Sequence, residues 1–399
     1  MYSVTRFAFA TACICAVSAF AQEAVKSNTP TPTATAVVSD EARIKATIDY
    51  WTPDRLAAAI PMPLPKVDRA SAIPNNVPSE REPVRFGNPI LPTIRDEAPA
   101  EISPERFPLN QGPELETEAT PAPDAFNYVM PFNNYRTGIN NQFPYSTMGK
   151  LFFTIPPGAT EKAGSYVCSA AVVGNLRIVV TARHCMWDFA TKKWYNSWAF
   201  YPEWNNGAST VVGGKNGAWY PEWAYTWTSG SSQVLSLDGG YDIGIFVMHD
   251  GTGTGCGGNK GKQIGDYTGA MGYAYGFSDS QTQWNMFGYP QAAPFEGNYL
   301  YQNNGATGAV NPLGSNWVAE AGDPQTGGTS GGPWVIGFNP DNRPVPAPNN
   351  NINNGNNFAN GVNSFVWTNP AQPLALNGTI FFSGNFLNLY KNALALKCS

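Results

Sequence analysis

Histidine is almost missing from this chain: His184 and His249 are the only two in 399 residues. With so few imidazoles, and with mature cysteines at 168, 185, 256 and 398 rather than in closely spaced pairs, no structural metal cluster is expected. No metal and no organic cofactor is expected. Long apolar runs are missing too. Beyond the first 21 residues no segment reaches the roughly 18 apolar residues needed to cross a bilayer, so no membrane anchor is expected. Charged residues make up only 13% of the chain, and the net charge of −5 comes with no basic cluster. That excludes a nucleic-acid-binding face. No repeat with a period of 20–50 residues is found, which argues against solenoids and propellers.

What is there falls into unequal parts. Residues 1–21 read as a secretory signal, with Arg6, the apolar run "FAFATACICAVSAF" and the small residues of "AFA" at its end. The expected product is a secreted, extracellular, monomeric protein. Cys13 and Cys15 leave with the signal. The four remaining cysteines suit two disulfides in an oxidising compartment, with three pairings open.

Residues 22–125 hold half of the 34 prolines and 16 acids against 10 bases, with little apolar patterning. Such a segment buries too little surface to offset its chain entropy, so a largely extended, irregular propeptide is expected. One island differs: "SDEARIKATIDYWTPDRLAAAI", 39–60. Ser39 is the expected N-cap, Ile44, Ile48 and Trp51 share one helical face, and Pro53 breaks or restarts the helix. The segment reads as a propeptide that caps or chaperones the downstream domain; the alternative is a linker with a nascent helix.

Residues 126–399 change to Gly, Asn, Tyr, Trp and β-branched residues. Eleven short runs read as strands, near 150–155, 167–174, 177–182, 198–204, 242–248, 271–277, 285–290, 298–302, 317–321, 333–338 and 362–368. Many short strands between Gly/Asn turns predict an all-β barrel or sandwich. Only the tail from 384 looks helical, with Phe386, Leu387, Tyr390 and Leu394 on one face.

Within this β-rich part, "DPQTGGTSGGPWVIGF" (323–338) places Ser330 in a glycine-rich loop before a strand. Its G-x-S-x-G pattern alone matches an α/β-hydrolase elbow, but that order needs a histidine after the serine, and none is present there. The order His…Asp…Ser remains. "VVTARHCMW" sets His184 at a strand end, and "YDIGIFVM" sets Asp242 at a strand start, with Asp238 and Asp250 as nearby rivals. A serine hydroxyl needs an imidazole to take its proton, and the imidazole needs a carboxylate to fix its tautomer. His249 reads as a surface or strand-end residue.

These three stretches resemble the trypsin/chymotrypsin-like serine proteases: "TARHC" looks like TAAHC, "DIGIFV" like the DIAL-type strand, and "GGTSGGP" like GDSGGP. "FPYSTMGKLFFT", "FYPEWNNGAS" and "GYPQAAPFEGNYLY" are similar to landmarks of the secreted bacterial glutamyl-endopeptidase-like branch. The resemblance covers about 140–390. It implies two six-stranded antiparallel β-barrels and a C-terminal α-helix. His184 and Asp242 would lie on the first barrel and Ser330 on the second. Gly328 and Ser330 would supply the oxyanion N–H groups. A Cys168–Cys185 disulfide is implied, leaving Cys256 and Cys398 to each other. The implied function is a serine endopeptidase, made as a preproprotein, with protein or peptide substrates and its own propeptide as partners. The alternative is a catalytically weak homologue that binds protein or glycan.

Other positions take their roles from the same resemblance. Thr329 stands where trypsin-like zymogens have the aspartate that captures a new N-terminus, so that activation is not expected. Pro324 stands where trypsin has its pocket aspartate, which argues against Arg/Lys specificity. Ser364 aligns with the serine that supports the triad aspartate, and Asn363 stands where glutamyl endopeptidases have histidine. Pro324, Gln325, Asn363, Ser364 and Phe365 are the expected pocket residues. Arg183, in place of a small residue, is expected to turn outward.

Overall fold

Glycine and asparagine turns cut the apolar runs into short strands, and two largely antiparallel sheets collect them. The computed structural model describes residues 33–68, 85–93, 132–138, 141–209, 217–228, 241–250, 262–275, 283–306, 318–340, 357–369, 375–381 and 384–396. The expected signal segment, Asp238, Cys256 and Cys398 lie outside them.

In chain order residues 22–125, called the leader below, supply β1 (Ala34–Val38), α1 (Glu41–Tyr50), α2 (Pro53–Ala58), β2 (Ile60–Pro61), β3 (Lys66–Asp68) and β4 (Arg85–Gly87). Then come β5 (Phe132–Arg136), β6 (Met148–Ile155), β7 (Gly164–Val172), β8 (Ile178–Thr181), β9 (Asn196–Pro202), β10 (Pro221–Trp227), β11 (Gly244–Met248) and α3 (Ile264–Thr268). The rest is β12 (Gly272–Tyr275), β13 (Gln283–Gly288), β14 (Tyr301–Ala306), β15 (Val318–Gly322), β16 (Pro333–Ile336), β17 (Phe358–Val362), β18 (Val366–Asn369), β19 (Ala375–Phe381) and α4 (Gly384–Ala395). Two further short hairpins lie within 187–209.

The first sheet has eight strands in the order β1-β10-β11-β8-β7-β6-β9, with β2 added beside β7. The second has nine, β15-β19-β17-β16-β13-β14-β5, with β12 bridging β17 and β4. The all-β expectation holds. The strand counts exceed six per sheet partly because the leader adds β1 and β2 to the first sheet and β4 to the second. Within its described residues, 33–68 and 85–93, the leader is thus more structured than its composition suggests. Pro32–Ser399 is one compact unit.

Why the leader folds is visible in α1. Its N-cap is Asp40, one residue past the expected Ser39, because the Asp40 carboxylate accepts from Arg43 N at 2.8 Å. Ile44 and Trp51 are buried and Ile48 half-buried, so the apolar stripe docks as a unit. Pro53 restarts the helix as α2, capped by Thr52. Neither α1 nor α2 would hold alone at these lengths; packing of the apolar stripe stabilises them. At the other end, α4 buries Phe386, Leu389, Tyr390 and Ala393, while Leu394 is 45% exposed. The buried stripe runs i, i+3, i+4, i+7, which turns Leu394 out and Leu389 in. Among the described residues no helix is long and apolar enough to cross a membrane.

Candidate active site

His184 is presented by a short 3-10 turn at the end of β8, and Asp242 lies just before β11, which pairs with β8. Adjacent antiparallel strands therefore bring the two together. His184 Nδ1 lies 2.9 Å from Asp242 Oδ2, and His184 backbone N donates to Asp242 Oδ1 at 3.0 Å. Ser364 Oγ donates to Asp242 Oδ2 at 2.5 Å. Three donors thus fix a carboxylate that is fully buried. With Nδ1–H facing Asp242, the neutral imidazole has its lone pair on Nε2, the state a general base needs.

Ser330 sits in the loop before β16, where the two sheets meet. Its carbonyl accepts from Ser169 N of β7 at 2.8 Å, while Gly331 N donates to Asn363 O at 2.9 Å. Cys185, next to His184, has its sulfur 3.8 Å from the Ser330 carbonyl oxygen, and the Cys168–Cys185 disulfide ties that turn to β7. Residues 183–185 and 330 therefore share one junction. Ser330 Oγ and His184 Nε2 are both buried with no hydrogen-bond partner. Cys168, Cys185 and His184 also cluster closely enough for a metal, but the disulfide has consumed both thiols.

The loop depends on glycine. Gly328 and Gly331 have φ of 95° and 82°, in the region that disfavours side chains. A β-carbon at Gly331 would overlap Thr181 Oγ1 and the Ser169 carbonyl oxygen. Gly331→Ala is expected to destabilise the fold by about 3 kcal/mol from strain and overpacking together, measured by denaturant unfolding. A loss below about 1 kcal/mol, the ordinary scale for a point substitution, would contradict this packing.

The remaining sequence-predicted residues divide. Thr329 has no carboxylate role; its hydroxyl donates to Gln325 Oε1 at 2.5 Å and accepts from Asn363 Nδ2 at 2.8 Å. Asn363 is fully buried and its amide is engaged within the fold. Its Oδ1 accepts from Trp334 Nε1, and its Nδ2 donates to the carbonyls of Phe287 and Thr329, so it locks the Ser330 loop to β13 and β16. Phe365 is fully buried against Trp367, whose ring centroid is 4.9 Å away. Pro324 is half-buried, and Gln325 is buried with Nε2 unpartnered. Arg183 does not turn outward. It is 2% exposed, with its guanidinium 5.0 Å from the Phe189 ring centroid. Burial lowers its pKa, and the Asp242 charge opposes that shift. His249 comes just after β11 and is buried rather than on the surface.

Asp323 was not legible as a site residue. It comes after β15, fully desolvated, with Oδ1 accepting from Gln325 N at 2.8 Å and Oδ2 unpartnered. Burial raises its pKa to about 8, against a smaller opposing effect of the Gln325 hydrogen bond. The unfolded chain releases this proton near pH 4, whereas the fold keeps it to about pH 8, so Asp323 lowers stability as pH rises across that window. Asp323→Asn is therefore expected to gain thermal stability relative to wild type between pH 4 and pH 8. A constant difference in Tm across that range would refute the assignment.

No family model and no curated protein matches the chain. Solved structures do resemble it. The protease Anisep from Arthrobacter nicotinovorans is 25% identical with a TM-score of 0.48, over 64% of this chain and 99% of that one. The thermostable serine protease AL20 from an extremophilic microorganism is 24% identical with a TM-score of 0.45, over 62% and 96%. A Glu endopeptidase solved with MPD is 14% identical with a TM-score of 0.45, over 66% and 97%.

Proposed function

We propose that the chain is a secreted serine endopeptidase made with a signal and a propeptide, and that Ser330, His184 and Asp242 are its catalytic residues. The observation that carries this reading is the buried Asp242 carboxylate. It accepts from His184 Nδ1, His184 N and Ser364 Oγ, on the strand pair beside the Ser330 loop. In this reading Ser330 Oγ attacks the peptide carbonyl while His184 Nε2 takes its proton. The carbonyl oxygen becomes an oxyanion held by the N–H groups of Gly328 and Ser330. His184 then protonates the leaving amine, the C–N bond breaks, and water hydrolyses the acyl-enzyme by the same steps.

Among the described residues expected in the pocket, neither a basic nor an acidic substrate side chain has an evident partner. Pro324 carries no charge, and the neighbouring Asp323 is held neutral by burial up to about pH 8. Asn363 is saturated by partners within the fold. Cleavage next to neutral side chains fits these residues best.

The reading is tested with a fluorophosphonate probe, on the full-length chain and on the chain lacking residues 22–125, and then by casein digestion. The adduct is expected on Ser330, and the cut sites, read by mass spectrometry, report the specificity. Folded protein of both lengths that neither labels nor cuts casein would favour a binding homologue.

A further inference from the structure

The buried state of the catalytic groups needs a cause. A peptidase must admit an extended chain, yet His184 is 4% exposed and Ser330 fully buried. The leader reaches the same loop, with Met62 and Pro61 against Gly327 and Gly328. It is anchored first outside the junction, through β1 on β10 and through Trp51. The Trp51 indole donates to Ser197 O at 2.6 Å and packs on Phe152 at 5.4 Å between centroids. Beyond α2, Ala59 O accepts from Gln291 Nε2 at 2.6 Å, and β2 pairs with β7. Met62 N donates to Val167 O at 2.9 Å, and Met62 O accepts from Gly328 N at 3.1 Å. Then Pro65 O accepts from Val366 N at 2.9 Å, and β3 pairs with β18. Residues 60–68 thus run from the first sheet to β18, with which β3 forms a separate two-stranded sheet, and place a carbonyl on the Gly328 N–H.

Both of these ladders are parallel, and the direction of the crossing matters. His184 must give its proton to the departing amine, so the leaving half of a substrate lies on the His184 side. That side is β7, to which the Cys168–Cys185 disulfide fixes the histidine turn. The acyl half is left the opposite edge, β18. A substrate reads from β18 to β7; the leader reads from β7 to β18. We infer that residues 34–68 are a built-in inhibitor that lies in the cleft in the direction opposite to a substrate, and so blocks the site without being cut there. This rests on the protease reading. In the reversed chain the Met62 carbonyl occupies the Gly328 N–H, but its peptide nitrogen belongs to the ring of Pro63 and points away from the His184 side. Pro61, Pro63 and Pro65 keep this stretch extended, at low entropic cost on docking.

The test compares rates of fluorophosphonate labelling at Ser330 in full-length wild type, Trp51→Ala and Met62→Asp. Trp51→Ala removes the anchor of the helix, and Met62→Asp puts a charge into the crossing segment alone, so one variant remains informative if the other misfolds. Both are expected to label at least 10-fold faster than wild type. A synthetic peptide of residues 34–68 is expected to slow them again. Mass spectrometry of long-incubated wild type is expected to show no cut between Ile60 and Asp68. Equal labelling of wild type and folded variants would overturn the inhibitor and leave the protease reading intact. Cuts between Met62 and Lys66 would overturn the reversed direction. No labelling of any form would overturn both.

Discussion

Replacing Ser330 by alanine is expected to lower peptide hydrolysis by the leader-free chain on the order of 10⁶-fold, with little loss of stability. The small loss of stability is expected because the Ser330 Oγ makes no hydrogen bond in the fold. What holds the residue in place is its backbone, through the bond from Ser169 N. His184→Ala should cost about as much, and the double variant no more than either single one, because nucleophile and base act as one unit. Purified variants would be compared by initial rates on a fluorogenic peptide chosen from the casein cut sites. Additive losses, or residual activity in Ser330→Ala above about one part in 10³, would show that hydrolysis occurs elsewhere.

Asp242→Asn should lower kcat about 10⁴-fold with KM nearly unchanged. Asp242 Oδ2 holds both His184 Nδ1 and Ser364 Oγ, while Oδ1 takes the bond from His184 N. An asparagine that keeps the His184 N bond has its NH2 in the Oδ2 place, where it donates to His184 Nδ1 and the Ser364 hydroxyl loses its acceptor. The imidazole then has to accept at Nδ1 and carry its proton on Nε2, where the lone pair is needed. The geometry survives and the tautomer is wrong. Ser364→Ala separates positioning from charge: it removes the 2.5 Å bond and leaves the carboxylate, so its loss should be far smaller. Parallel pH–rate profiles complete the measurement. An Asp242→Asn enzyme within 10-fold of wild type would remove Asp242 from the role and make Asp250 the candidate.

How much of this could be read from the sequence depends on how local each signal is. His184, Asp242 and Ser330 each sit in a short stretch with a recognisable pattern, so they could be grouped as candidates from the sequence, with Asp238 and Asp250 as rivals to Asp242. Strands such as β6, β7 and β8 carry their own apolar runs. The strand β10 escapes such a reading because it begins with Pro221 and mixes Glu222 into an aromatic run. β1 escapes it because its alanine, threonine and valine residues become a strand only against β10. Arg183 is misplaced for the same reason: nothing in "TARHC" shows that Phe189 will lie beneath the guanidinium. Asn363 looks like a pocket residue by alignment, yet its amide is used up by Trp334, Phe287 and Thr329, partners 29 to 76 residues away. Asp323 has no signal at all, since its desolvation comes entirely from packing.

The pairing of β1 with β10 has a consequence for any form of the molecule that lacks the leader. Five positions of β10, Trp223 to Trp227, are matched by residues 34–38 in unbroken antiparallel register. Loss of the leader turns β10 from an interior strand into the open border of its sheet, carrying Trp223, Tyr225 and Trp227. Unsatisfied amides beside aromatic side chains form a template on which another extended chain can add. If the leader is removed as proposed, the colloidal behaviour of the chain should change at the same moment as its activity.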